Sequence, residues 1–274
     1  MPEGPEIRRA ADRLARVLVD NELTEVFFKF PRLQRFQSVL TGERVTAVDT
    51  RGKALLTRFS NDLVLFSHNQ LYGRWYVTCG RREPKTNRSL RVALYTSDHS
   101  ALLYSASSID VLAADAVAEH PSISGLGPDI LDPGLTAEQI AARLASARFR
   151  GRSLGTLLLD QGFLAGNGNY LRSEILFFAG LSHRAKPADL TAAHRRRLAR
   201  QILAIAGRSY RTGGITNPPR QVSELKADGL TRSKYRFAVF GRAGAPCYAC
   251  GTPIERCSVG SRRLYFCPSC QSAA

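Results

Sequence analysis

Two short cysteine pairs near the C-terminal end constrain this chain more than any other feature. Cys247-Tyr248-Ala249-Cys250 and Cys267-Pro268-Ser269-Cys270 are C-x2-C knuckles with 16 residues between them. A tight turn puts both sulfurs of a knuckle on one side, and two knuckles together close a tetrahedral four-thiolate site with Zn–S bonds of about 2.3 Å. The reading is one structural zinc ion held by Cys247, Cys250, Cys267 and Cys270. Four thiolates fill its coordination shell and leave no open position for a catalytic water. A redox dithiol would instead place one C-x-x-C beside a βαβ pattern. Cys79 and Cys257 lie outside the knuckles and read as free thiols. The segment between the knuckles becomes a stiffened hairpin, with Arg262 and Arg263 near its tip.

Charge is the next constraint. The chain of 274 residues has a net charge of +16, distributed as +2 over residues 1–130 and +14 over 131–274. A positive field concentrated in one half favours a polyanionic partner, nucleic acid before an anionic membrane surface. With 44% hydrophobic residues the chain can bury a core and is not a disordered tail. No run of about 18 apolar residues suggests a membrane span. The opening Met1-Pro2-Glu3-Gly4-Pro5-Glu6 lacks the apolar core of a secretory signal, so a cytoplasmic protein is expected.

Periodicity divides the chain. Ile7, Ala10, Ala11, Leu14, Val17 and Leu18 recur at helical spacing and predict a helix over Pro5–Val19. Leu23–Phe30, Arg44–Asp49, Ala54–Phe59, Leu63–Ser67, Gly73–Val77, Leu90–Tyr95 and Ala101–Tyr104 read as short strands of an antiparallel sandwich. A hinge rich in glycine and proline follows at Gly125–Gly134. Beyond it, Thr136-Ala137-Glu138-Gln139 is a capping box opening a helix to about Ala147. Ser153–Asp160, Asn169–Ala179 and Ala188–Ala206 predict three more helices, and 207–234 a loop. The fold class is therefore α+β: a β-sandwich with a leading helix over 1–130, a helical domain over 131–234, and a zinc hairpin over 235–274.

Pro2 follows the initiator methionine, whose removal would expose a secondary amine. An α-amine has a pKa of about 7.7–8.0, so a useful fraction is neutral at pH 7. Such an amine can attack a sugar C1′ and form an iminium, an electron sink for elimination, with Glu3 beside it to move protons.

The opening string and the tandem knuckles together resemble the formamidopyrimidine-DNA glycosylase / endonuclease VIII family, most closely its endonuclease VIII branch. Arg51-Gly52-Lys53-Ala54-Leu55-Leu56, Ser67-His68-Asn69-Gln70-Leu71-Tyr72-Gly73 and Leu158–Arg172 carry the same likeness, which spans essentially the whole chain. The resemblance implies a bifunctional DNA glycosylase and AP lyase acting on oxidised pyrimidines by β,δ-elimination. Pro2 is then the Schiff-base nucleophile, Glu3 the general acid/base and Lys53 the proton donor for β-elimination, with Glu6 tuning the site. Gln70, Leu71 and Tyr72 fill the space left by an extruded base. Asn169, at the second helix of a helix–two-turn–helix element, donates to a backbone phosphate. Arg262 contacts phosphate and assists δ-elimination. The partner is damaged DNA, bound by a monomer away from membranes, with zinc as the sole, structural cofactor.

Two departures stand out. Gly125 occupies the place of a DNA-contacting arginine, and Thr212-Gly213-Gly214-Ile215-Thr216 is similar to the sister enzyme that removes oxidised purines. That sister activity is one alternative. A non-catalytic zinc-ribbon DNA binder is another, which leaves Pro2, Glu3 and Lys53 without a role.

Overall fold

The computed structural model describes residues 2–271 in two compact units, the first Pro2 with Glu6–Gly125, the second Glu3–Pro5 with residues from Leu126 onward. The leading helix α1 spans Gly4–Leu18 and buries Ile7, Ala10, Ala11, Leu14 and Leu18, one apolar face at helical spacing. In the first unit, β1 (Glu25–Phe28), α2 (Pro31–Gln34), α3 (Phe36–Leu40), β2 (Val45–Arg51), β3 (Ala54–Phe59), β4 (Leu63–His68), β5 (Arg74–Cys79), β6 (Leu90–Tyr95), β7 (His99–Tyr104) and β8 (Ser108–Ala113) follow. They form two antiparallel sheets in the orders β1-β6-β7-β5 and β2-β3-β4-β8. One core joins the inner faces of both, Phe28, Leu94 and Leu103 from the first and Val45, Leu55 and Leu65 from the second, with the apolar face of α1. That is the expected sandwich with its leading helix. The strand β8 and the two short helices over 31–40 are additions to the sequence reading. Ser-Ile-Asp-Val-Leu-Ala has only three large apolar residues among polar and small ones, and Pro31 at the first position of α2 looks like a strand-ending proline.

The second unit contains α4 (Ala137–Ala145), α5 (Leu154–Leu157), α6 (Asn169–Ala179), α7 (Ala192–Thr212), α8 (Pro219–Ala227), α9 (Arg232–Tyr235) and the hairpin β9 (Glu255–Val259) and β10 (Arg262–Phe266). The capping box forms as read: Thr136 Oγ1 accepts from the Gln139 N–H at 3.2 Å, and Gln139 Oε1 accepts from the Thr136 N–H at 2.9 Å. Ser153–Asp160 yields a single α-helical turn, Leu154–Leu157, after which the Leu159 and Asp160 N–H groups reach only three residues back, to the Thr156 and Leu157 carbonyls at 3.1 and 3.0 Å.

The loop expected over 207–234 is mostly helix. α7 continues to Thr212, and Gly213 ends it in the left-handed conformation at φ 69°. Pro218 and Pro219 then start α8, where a proline lacks nothing because the first helical N–H has no partner anyway. The glycines and prolines that suggested a loop are the caps of the helices on either side.

Candidate active site

The N-terminal segment is held by the start of α6. Glu3 is buried, and its two carboxylate oxygens accept the backbone N–H groups of Tyr170 at 2.8 Å and Leu171 at 3.2 Å. These are amides of the first helical turn, which have no intrahelical partner and face the anion with the positive end of the helix dipole. Gly4 N–H donates to the Gly166 carbonyl at 2.8 Å, so the tract is fixed at two successive residues. Gly168 makes this docking possible: a Cβ there would lie 2.2 Å from the Glu3 carboxyl carbon. The glycines of the 166–168 turn therefore admit the chain's own N-terminal segment. Asp129, buried and accepting the Leu131 N–H at 2.9 Å, lies close to the same turn and was not singled out in the sequence reading.

Asn169 opens α6 and binds the zinc-hairpin backbone. Its Nδ2 donates to the Arg263 carbonyl at 2.7 Å and its Oδ1 accepts from Arg172 Nη2 at 2.6 Å. These bonds use one of the two Nδ2 protons. Arg172 is fully buried and also donates to the Gly155 carbonyl at 2.8 Å and the Arg263 carbonyl at 3.2 Å. Burial lowers its guanidinium to about 10, against the opposing pull of Cys257 and Glu3. Arg172 stitches α5, α6 and the hairpin into one piece. Its only sequence signal is its place one turn after Asn169. Arg262 and Arg263 begin β10, exposed, beside the tip at Gly260-Ser261, with Arg262 paired to Val259. A second missed carboxylate, Glu174, is wholly buried and accepts the consecutive N–H groups of Ala238, Val239 and Phe240 at 2.8, 2.9 and 2.8 Å. Burial raises its pKa while these donors and Thr216 pull the other way.

Pro2, Glu6, Lys53 and the 70–72 segment belong to the first unit. Pro2 is half-buried immediately before α1, and Glu6 lies in the first turn of that helix. Lys53 sits with Gly52 in the two-residue turn between β2 and β3, where Arg51 pairs with Ala54. Ala54 pairs in turn with His68, whose pKa is lowered by burial and then by the Lys53 charge. Gln70-Leu71-Tyr72 forms the tip between β4 and β5. Leu71 and Tyr72 are 57% and 66% exposed, two of the three exposed large apolar side chains among the described residues. Gln70 is held at φ 48°, a conformation costing a non-glycine residue about 1–2 kcal/mol. Gln70 Oε1 accepts from Ser107 Oγ at 2.5 Å, and its N–H donates to His68 Nδ1 at 3.0 Å. Gly73 closes the tip, since a Cβ there would meet the Asn69 carbonyl oxygen at 2.6 Å. A Cβ at Gly125 would meet nothing within 4 Å, so the position has room for a side chain.

At the knuckles, the sulfurs of Cys247, Cys250, Cys267 and Cys270 all lie within 4.8 Å of one another, with Cys247–Cys270 at 3.9 Å and Cys250–Cys267 at 3.4 Å. A tetrahedron with Zn–S bonds of about 2.3 Å has sulfur–sulfur edges of about 3.8 Å, so the set fits such an ion. The Ala249 and Cys270 amides donate to Cys247 and Cys267 sulfurs, each at 3.4 Å, as thiolate ligands require. Cys257 lies outside this set, 3.6 Å from His183 Nε2.

This combination of a β-sandwich, a glycine-broken helical element and a four-cysteine hairpin defines a class. Residues 1–107 match the formamidopyrimidine-DNA glycosylase N-terminal domain and residues 126–219 the formamidopyrimidine-DNA glycosylase H2TH domain. Proteins named Endonuclease 8 from Klebsiella pneumoniae and Escherichia coli are 52% identical over 271 residues, covering 99% of this chain and 100% of each relative. The chain belongs to the formamidopyrimidine-DNA glycosylase / endonuclease VIII family. Lactococcus lactis formamidopyrimidine-DNA glycosylase bound to DNA containing an AP site shares the fold, with a TM-score of 0.81 at 20% identity over 99% of this chain and 100% of that one. The same protein with DNA containing an oxidised pyrimidine gives a TM-score of 0.80 at 21% identity, covering 99% of this chain and 100% of that one.

Proposed function

We propose that this chain is a bifunctional DNA glycosylase and AP lyase of base-excision repair, acting on oxidised pyrimidines. The observation that carries the reading is Glu3 locked onto the first amides of α6. It fixes the residue next to Pro2 at a helix start, where oxyanions are also bound. With Met1 removed, the Pro2 nitrogen attacks C1′ of the damaged nucleotide and the base departs, leaving an iminium on the sugar. Glu3 shuttles the proton between the amine and the opening sugar ring. Lys53 serves the first elimination at the 3′ side. Arg262 holds phosphate through the second elimination, and both ends of the gap carry phosphate. Met1 itself lies outside the described residues.

The exposed Leu71 and Tyr72 enter the stack when the base is extruded, and Gln70 offers its amide to the orphaned partner base. Asn169 uses its remaining proton on a phosphate flanking the lesion, and Glu6 tunes the N-terminal site. A zinc ion at Cys247, Cys250, Cys267 and Cys270 keeps the hairpin folded and does no chemistry. Residues 1–130, 131–234 and 235–274 act as sandwich, helical and zinc-finger domains. The protein works as a cytoplasmic monomer on chromosomal DNA. No helix among the described residues is long and apolar enough to cross a membrane.

Single-turnover base release from matched duplexes with thymine glycol or 8-oxoguanine tests the substrate class. Faster release of thymine glycol is expected. Preference for 8-oxoguanine would assign the chain to the purine-directed chemistry instead.

A further inference from the structure

α7 carries charge that the proposed chemistry does not use. Its 21 residues include Arg195, Arg196, Arg197, Arg200, Arg208 and Arg211 and no acid. Arg208 donates to the Thr216 carbonyl at 2.6 Å, and Arg195 to those of Pro187 and Leu190 at 3.1 and 2.5 Å. Arg196, Arg200 and Arg211 are exposed, and among the described residues none of them has an ion-pair partner. At 3.6 residues per turn these three share one face with the exposed Ala193 and Ala204, side chains small enough to let a partner come close. Arg196 and Arg200 stand about 6 Å apart along the axis. One B-DNA strand offers a phosphate about every 3.4 Å of its axis, so two arginines this close can meet separate phosphates.

The start of α7 also borders a notch of about 240 Å³ lined by Ala145, Arg150, Pro187, Ala188 and Arg195, with no acid in its wall. Arg148, Arg150 and Lys186 are exposed nearby in sequence. The acid of this stretch, Asp189, is turned to the Lys186 N–H at 2.9 Å. The Arg196–Arg200 stretch and the notch are separate from the Glu3 site, whereas Arg211 lies at the end of α7 that adjoins it. Tyr170 and Ser209 hydroxyls meet at 2.8 Å, which puts the far end of α7 beside the Glu3-binding turn. Arg196 lies 13 residues earlier, about 20 Å along the helix.

We infer that the exposed Arg196–Arg200 stretch of α7, with the Arg150 notch, is a second and sequence-independent binding surface for DNA phosphates, engaged by duplex outside the segment held at the Glu3–Asn169 turn. The inference rests on the DNA-directed reading above. A protein partner fits the face less well, because stable interfaces centre on apolar anchors. The exposed large apolar side chains among the described residues are Val39, Leu71 and Tyr72, none of them on α7. A polyanion needs only the cations and a close approach.

The test uses the full zinc-loaded chain with Arg196→Gln and Arg200→Gln together. Binding is measured on a long undamaged duplex, and single-turnover excision on a lesion duplex of about one helical turn. The double variant should bind the long duplex about tenfold more weakly, with a salt slope reduced by about 1.8, or 0.9 for each phosphate that is no longer neutralised. Excision on the short duplex should stay at the wild-type rate. Arg196→Lys with Arg200→Lys should retain the wild-type slope, which separates charge from folding. An unchanged affinity and slope on long DNA overturns the inference and leaves an acidic protein as the candidate occupant. An equal loss on both duplexes also overturns it, because the arginines would then belong to the lesion clamp. A wild-type protein that binds neither duplex would instead refute the parent reading.

Discussion

Glu3 and Gly168 require each other. The carboxylate satisfies amides that α6 cannot satisfy itself, and only a residue without a side chain leaves room for it. Gly168→Ala drives a carbon into the carboxylate and must displace the residue next to Pro2. Displacements of about 1 Å at a reacting centre cost roughly 100-fold in rate. Single-turnover excision by Gly168→Ala should fall by about that factor, and circular dichroism should show the helices intact. His68 gives a second prediction at this scale. Burial and then Lys53 hold its pKa below the ordinary 6.5, so the folded state resists protonation. The unfolded chain then binds more protons just below pH 6.5, and stability rises with pH through that window. His68 contributes no penalty above 6.5, and its penalty grows as pH falls toward the folded value. An imidazole titration by NMR should give a midpoint below 6.5, and Lys53→Met should move it upward.

Elements differ in how much of them could be read in advance. α1, α6, β3 and β6 follow from runs whose period and boundaries agree, and Asn169–Ala179 was bounded to the residue. The clustering of the four cysteines was legible because metal geometry demands a spacing that few other structures use. The helices at 207–235 were not, because Gly213 and Pro219 mark helix ends as readily as loops. The candidate site was half legible. The sequence pointed to Pro2, Glu3, Lys53 and the 70–72 tip. It could not say that Glu3 would dock on α6, or that Arg172 and Glu174 would be buried against the C-terminal segment, since all three contacts join residues more than 60 positions apart. On the proposed reading the hairpin depends on a zinc ion at the four cysteines as well as on these side chains. Chelation should release one zinc per chain, lower the melting temperature and abolish excision, and added zinc should restore both. Full excision by metal-free protein would contradict the role given to the four thiolates.

At the scale of the molecule, the chain's uneven charge matches its division of labour. The first unit carries Pro2, Lys53 and the exposed tip, with little net charge, and the second carries most of the excess arginines and the four-cysteine hairpin. The central claim is that the mature N-terminal nitrogen bonds to the sugar. Borohydride added during turnover reduces an iminium to a stable amine and leaves protein joined to DNA. The wild-type chain with a thymine-glycol duplex should give a covalent adduct, and peptide mass mapping should locate it on Pro2 with Met1 absent. Pro2→Gly should trap far less. An adduct on another residue, or full activity from protein that keeps Met1, would contradict the account.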